Sequence, residues 1–337
     1  MSKLVFAIDF SRGKPSPLEA QAILSRTTAR GCHHHSMKLR LPFGIYNVSI
    51  QRVADKVISL CRRLEAYFQT VKGVSKDMPA DSGLRQEIVD YIELAIYAAA
   101  EHVDDVEAIA AGFFKDRYQK KKHAGYKTFT AELDKHRRFV SAAANNIKHQ
   151  QARIRLYSIE FVHGPESGCL HGYFIEGIEN GEVGPSGIFH QDQLVFSVST
   201  LVWEIIVFVL QSSHSLARFL ETVGQQVDGP LKETEGSTFI GAIEAAARLP
   251  NYMFGEAHPF ERITLSFLAP PDESLANMDS GLYGSFHHTW DHKHALKPGG
   301  YSFGYLGDGI SNKFKLVGPK RITLKSWGRP EPMAQTT

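Results

Sequence analysis

Apolar residues return at every third or fourth position through three long stretches of the chain. Ile50, Val53, Val57, Leu60, Leu64, Tyr67 and Val71 mark the first. That spacing predicts an amphipathic helix over 48–71, with Asn47 or Ser49 able to cap its start. Ile88, Ile92, Ala95, Ala99, Val103, Val106 and Ile109 repeat the pattern over 83–114. After an expected break at "HAGYKTFT", Thr130 can cap a third helix running to Gln151. Its apolar side carries Leu133, Val140, Ala144 and Ile147. Three such helices joined by loops predict an antiparallel helical unit over 47–151.

The period then shortens. "RIRLYSIEFV" at 153–162 is rich in strand formers, and "HGYFIEGIENGEVGPSGIFH" at 171–190 holds an Asn-Gly pair between apolar runs. Asn-Gly between such runs predicts a two-residue hairpin. A long apolar segment, 194–225, predicts a helix, and "FIGAIEAAARL" a shorter one. "RITLSFLAPP", "YSFGYLG", "KFKLVG" and "RITLKSW" read as strands between glycines and prolines. In the first 46 residues, "LVFAIDF" reads as a strand, "PLEAQAILSRTTARG" as a short helix and "LRLPFGIY" as an extended entry. The expected fold class is α+β: an antiparallel helical bundle followed by a β-rich part, with one long buried helix. The expected divisions are an unassigned 1–46, a bundle with an inserted hairpin at 47–225, a β-rich 226–327 and a disordered tail at 328–337.

Composition narrows the class. The 337 residues are 43% hydrophobic and 22% charged, as in a folded soluble protein. Cys32, Cys61 and Cys169 are widely spaced and odd in number. This argues against a disulfide framework or thiolate zinc site and favours a reducing cytoplasm. "LVFSVSTLVWEIIVFVLQ" at 194–211 nearly reaches membrane-spanning length. It carries Glu204 near its centre and has no lysine or arginine close to either end, so a buried core helix is expected.

The net charge of +2 conceals a steep local asymmetry. Between Lys115 and Arg155 twelve Lys/Arg face three acids, a local net of +9, whereas 81–107 holds eight acids and one base, a net of −7. A positive block of this size suits a phosphate-backbone binder. The alternative is a solvated face paired with its acidic neighbour. The nucleic-acid candidates are Arg117, Lys120, Lys121, Lys122, Lys148 and Arg153.

The third helix adds a candidate catalytic set. At about 100° per residue, Arg138, Asn145 and His149 fall within about 20° of one line along it. A histidine can exchange protons near neutral pH, an arginine can hold phosphate, and an amide can orient either. A helical bundle with such a polar edge resembles the HEPN superfamily of helical ribonucleases and nucleotide-binding domains. The likeness would cover at most 47–225. That superfamily's signature, an arginine followed closely by a histidine, is met in spacing by Arg26–His33, Arg30–His35 and Arg117–His123. Arg138 and His149 have ten residues between them and do not match it. The resemblance implies an RNA-cleaving or RNA-binding role.

Histidines offer a different chemistry. "HHTWDHKH" contains His287, His288, Asp291, His292 and His294, "CHHH" spans 32–35, and His163, His171 and His190 flank the hairpin. The 287–294 set lacks a third ligand at a recognised spacing, and "CHHH" lies in an unassigned loop. His163, His171 and His190 could converge across strands but read as hydrogen-bonded structural groups, so no metal and no cofactor is expected. GxxxxGK[ST], GxGxxG after a strand, HExxH and paired CxxC are all missing, which removes support for ATPase and dinucleotide readings. One GxSxG string, Gly300 to Gly304, falls in the stretch read as a strand rather than at a strand-to-helix turn. The leading expectation is a cytoplasmic, nucleic-acid-interacting protein. Its most specific form is a metal-independent endoribonuclease of toxin or host-defence type. A non-catalytic binding or scaffold protein and a metal-dependent enzyme using 287–294 are the rivals. The expected partners are RNA and a second copy of the chain, with no membrane.

Overall fold

The computed structural model describes residues 18–27, 32–70, 82–163, 166–179, 182–186, 189, 196–224, 237–249, 251–254, 295–296, 300–305, 311–316 and 324–327. Its helices are α1 (Glu19–Arg26), α2 (Pro42–Thr70), α3 (Ser82–Ala111), α4 (Arg117–Lys122), α5 (Ala124–His149), α6 (Val198–Thr222) and α7 (Ser237–Ala247), with a 3₁₀ turn at His35–Met37. The strands are β1 (Ile154–His163), β2 (Glu166–Glu179), β3 (Glu182–Pro185), β4 (Phe196–Ser197), β5 (Asn251–Phe254), β6 (Ala295–Leu296), β7 (Gly300–Tyr305), β8 (Ser311–Leu316) and β9 (Leu324–Trp327). This is the expected α+β arrangement: a helical bundle, a smaller antiparallel sheet, and one long buried helix.

Helices α2 and α3 run antiparallel, since Ser49 meets His102 and Arg63 meets Glu87. Every residue marked as inward on α3 is buried, as are Ile50, Val53, Val57, Leu60, Leu64 and Tyr67 on α2. Fully burying one large apolar side chain contributes about 1.5–3 kcal/mol, so these faces hold the pair together. Helix α6 is the central element. It is buried continuously from Val198 to Leu210 and packs on α1, α3, α5 and α7. Of its most apolar 18-residue window, 83% is buried inside the protein. Glu204, near the middle, is enclosed with it and lies beside Tyr173 of β2.

The sheet runs β3-β2-β1-β7-β8, with β4 also on β2 and β6 also on β1, while β5 and β9 form a separate pair. Glu179 pairs with Glu182, as the expected hairpin between these strands requires, while Asn180 and Gly181 lie outside the described residues. Strand β1 is shared: it pairs with β2 along its length and with β7 through Ser158 and Tyr301. Strands β6, β7 and β8 thus join the same sheet as the hairpin, and α7 packs back on α2.

Three local expectations are corrected. "LRLPFGIY" is not extended after Pro42, because proline's fixed φ and missing N–H suit the first position of α2. Ser49 therefore lies inside that helix and is no cap. "HAGYKTFT" is no break: the His123 side chain caps α5 by accepting from Tyr126 N. Thr130 sits within α5, its hydroxyl donating to the Tyr126 carbonyl at 3.0 Å. The expected strand "LVFAIDF", the strand "RITLSFLAPP" and the tail at 328–337 lie outside the described residues.

Candidate nucleic-acid interface

Helix α4 begins because Asp116 accepts hydrogen bonds from Tyr118 N and Gln119 N, both at 2.9 Å. Side-chain acceptors at this position satisfy amides that have no partner within the helix. The His123 cap then turns the chain directly into α5. An aromatic cluster holds this corner: the His123 ring meets Phe114 and Phe219, and Tyr126 and Phe129 also pack on Phe219. Gly125 adds a close approach, since a Cβ there would collide with the Thr222 hydroxyl of α6. His123, which has the short spacing from Arg117, is thus committed to capping and packing.

From this fixed corner α4 projects its charge. Lys115, Arg117, Lys121, Lys122 and Lys127 are exposed and Lys120 is half-exposed. None of the six forms an ion pair among the described residues. Tyr118, between them, is 65% exposed. The Lys122 ammonium lies 4.1 Å from the centroid of its ring and also reaches its hydroxyl. Lys120 lies 5.2 Å from the Tyr126 ring centroid.

The acidic neighbour does not cancel this charge. Glu101 and Asp105 of α3 pair with Arg52 of α2, and Glu87 pairs with Arg63. Among the described ion pairs of that stretch, the one that reaches the basic block is Glu107 with Arg137, which Asp134 also holds. Arg155 is withdrawn by burial. Its side chain and that of Glu176 are 7% and 10% exposed, and Arg155 Nε donates to Glu176 Oε1 at 2.6 Å between β1 and β2. Arg153, two residues earlier, is exposed.

Arg138, Asn145 and His149 are all exposed on α5, as a shared stripe requires. The uninterrupted helix also separates them. Eleven residues at about 1.5 Å rise put Arg138 and His149 roughly 16 Å apart along the axis. Two side chains at that distance do not converge on one scissile phosphate, since a catalytic pair needs hydrogen-bond reach of about 3 Å to shared atoms. Lys148 bends toward α3, its ammonium 4.5 Å from the Tyr97 ring centroid. The α4 lysines lie at the other end of α5, roughly 38 Å from His149. The single basic block of the sequence is therefore spread along α5, with the α4 lysines far from Lys148 and Arg153.

Among the described residues no group of three His, Cys, Asp or Glu is placed to hold a metal. His34 is fully buried, donating from Nε2 to the Ile109 carbonyl at 3.0 Å and packing edge-on against Phe113. Burial lowers its pKa. His190 and the 287–294 cluster lie outside the described residues, as do the side chains of His163 and His171.

One polar constellation was not anticipated. His102 of α3 is completely buried, with Nδ1 2.9 Å from Ser49 Oγ of α2 and Nε2 2.9 Å from Ser212 Oγ of α6. Burial, with a smaller contribution from nearby Arg52, lowers its pKa to about 3. The available signal was Ser49 standing among the inward residues of α2. No family model matches the chain, and neither a curated protein nor a solved structure matches it.

Proposed function

We propose that the chain is a nucleic-acid-binding protein whose principal contact is α4 with the adjoining start of α5. The observation that carries this reading is the set of six cations at 115–127 without ion pairs, while the acids of α3 pair mainly with α2. Cations without carboxylate partners are available to displace counterions from a phosphate backbone, the main source of affinity in such complexes. Asp116 is the one carboxylate among them, and its Oδ1 is engaged with two backbone amides. Their attachment to the aromatic corner limits the ordering cost of binding, because the backbone carrying them is already packed.

The reading is binding rather than cleavage. Arg138, Asn145 and His149 stand on an exposed helix edge with a long axial gap, and serve better as a secondary contact along α5. The test is binding of labelled RNA across a salt series. Wild type should give a log K against log salt slope near −3 to −4, from about five contacts at roughly 0.7 each on a single strand. Replacing Lys120, Lys121 and Lys122 together with Gln should make that slope shallower by about 2. A slope unchanged by the triple replacement, or no binding at low salt, removes the reading.

A further inference from the structure

We infer that the nucleic acid α4 takes is single-stranded, with an unstacked base lying on the Tyr118 ring and flanking phosphates held by Lys121, Lys122 and Arg117. The inference rests on the α4 reading above and goes further by naming the form of the ligand. Three observations carry it.

Tyr118 is the most exposed large apolar or aromatic side chain among the described residues, at 65%. A ring left in water on a helix whose neighbours Phe114, Tyr126 and Phe129 are all buried is not contributing to the core. Second, the ring is oriented. The Lys122 ammonium lies 4.1 Å from its centroid and also contacts its hydroxyl, while the side chain stays 65% exposed. Third, the charge is arranged around that ring. At about 100° per residue, Lys122 lies about 40° to one side of Tyr118 and Lys121 about 60° to the other, with Arg117 beyond it. Cations on both sides of an open aromatic face suit a strand whose backbone passes beside a stacked base.

A duplex would leave this ring unused. Its bases are covered above and below by their neighbours, and only their edges are open in the grooves. A single strand offers base faces, which stack on tyrosine with little sequence preference. The shared chemistry is a phosphodiester backbone bearing unstacked bases, available from RNA or from DNA.

The experiment uses the full chain and four labelled probes: oligouridine, oligodeoxythymidine of equal length, a blunt RNA duplex, and inorganic polyphosphate matched in charge. Tyr118→Ala should weaken both single strands about 5- to 100-fold, the range of one base–aromatic stack. Tyr118→Phe should keep their affinity, since a phenyl ring stacks as well. Neither change should move the salt slope, because no cation is removed, and binding of duplex and polyphosphate should not respond to either. Single strands weakened by Tyr118→Ala with the phosphate-only probe unmoved sustain the inference, whichever sugar binds tighter. Single strands bound no tighter than duplex or polyphosphate, with Tyr118→Ala silent, overturn it and leave the α4 reading standing. Failure of every probe at low salt overturns both.

Discussion

Helices α3 and α4 carry opposite charge and deploy it in opposite ways. Four of the seven acids of α3 meet arginines of α2 and α5, so part of that charge is answered within the bundle. Among the described residues, the lysines of α4 meet no carboxylate: Lys120 lies by the Tyr126 ring and Lys122 by the ring and hydroxyl of Tyr118. The same contrast holds for buried polar groups: Arg155 has Glu176, and His102 has a serine at each ring nitrogen. These three groups are matched with partners, and leaving one of them buried and unmatched would cost about 1–3 kcal/mol or more. Where cations stand without partners, the fold does not need them. Substitutions should therefore separate the two regions, affecting stability in one and binding in the other.

The largest expected effect is at the buried ion pair. Glu176→Ala leaves Arg155 enclosed without its carboxylate, and should cost about 3–5 kcal/mol in urea unfolding. A loss under 1 kcal/mol would mean that water reaches this pair and would break the contrast. Next comes pH. His102 is neutral when folded, with a pKa lowered to about 3. Below about pH 6.5 the unfolded chain takes up a proton there that the folded chain refuses. Stability present above 6.5 should fall by about 1.4 kcal/mol per pH unit, toward a floor near pH 3. Asp105, whose carboxyl is raised chiefly by burial, acts with the opposite sign at the acid end. Urea midpoints at pH 7, 6, 5 and 4 measure the slope, and His102→Asn should flatten it.

Gly112→Ala should come third, at about 1–3 kcal/mol, because a Cβ there enters the space of the buried His34 ring. An unchanged melting temperature would show that His34 swings aside without penalty. Smallest are the exposed groups. Arg138→Ala and His149→Ala should each alter stability by no more than about 0.5 kcal/mol. A larger loss from either would place it in the structural class with α3.

Much of the bundle was legible, since a periodic apolar face is both a sequence pattern and the surface that packs. Ile88 through Ile109 name the buried side of α3 with no further information. The pairing of β2 with β3 is legible for a similar reason, since few dipeptides mark a hairpin as Asn-Gly between apolar runs does. Helix starts were harder, because Pro42 and His123 act through backbone geometry and one side-chain bond rather than through a repeat. The candidate site was legible only in angle. Arg138, Asn145 and His149 do share a stripe, but projecting a helix down its axis discards the rise that parts them. The +9 block was likewise a count along the chain, and α5 spreads it over the length of a helix. His102 could not be found from spacing, as Ser49 and Ser212 come from two other helices far away in sequence.

The position of α6 in the chain has a consequence for synthesis. Helices α2 and α3 can meet as soon as both are made, but the helix that covers α1, α3 and α5 follows the end of α3 by more than eighty residues and ends at Thr222. At about 5–20 residues per second, the interval between the end of α3 and the end of α6 is roughly 6–20 s. Through that interval the nascent bundle presents open apolar faces outside the ribosome. It is then that a holdase chaperone would find this chain, and a pause in translation before Val198 would lengthen the exposure.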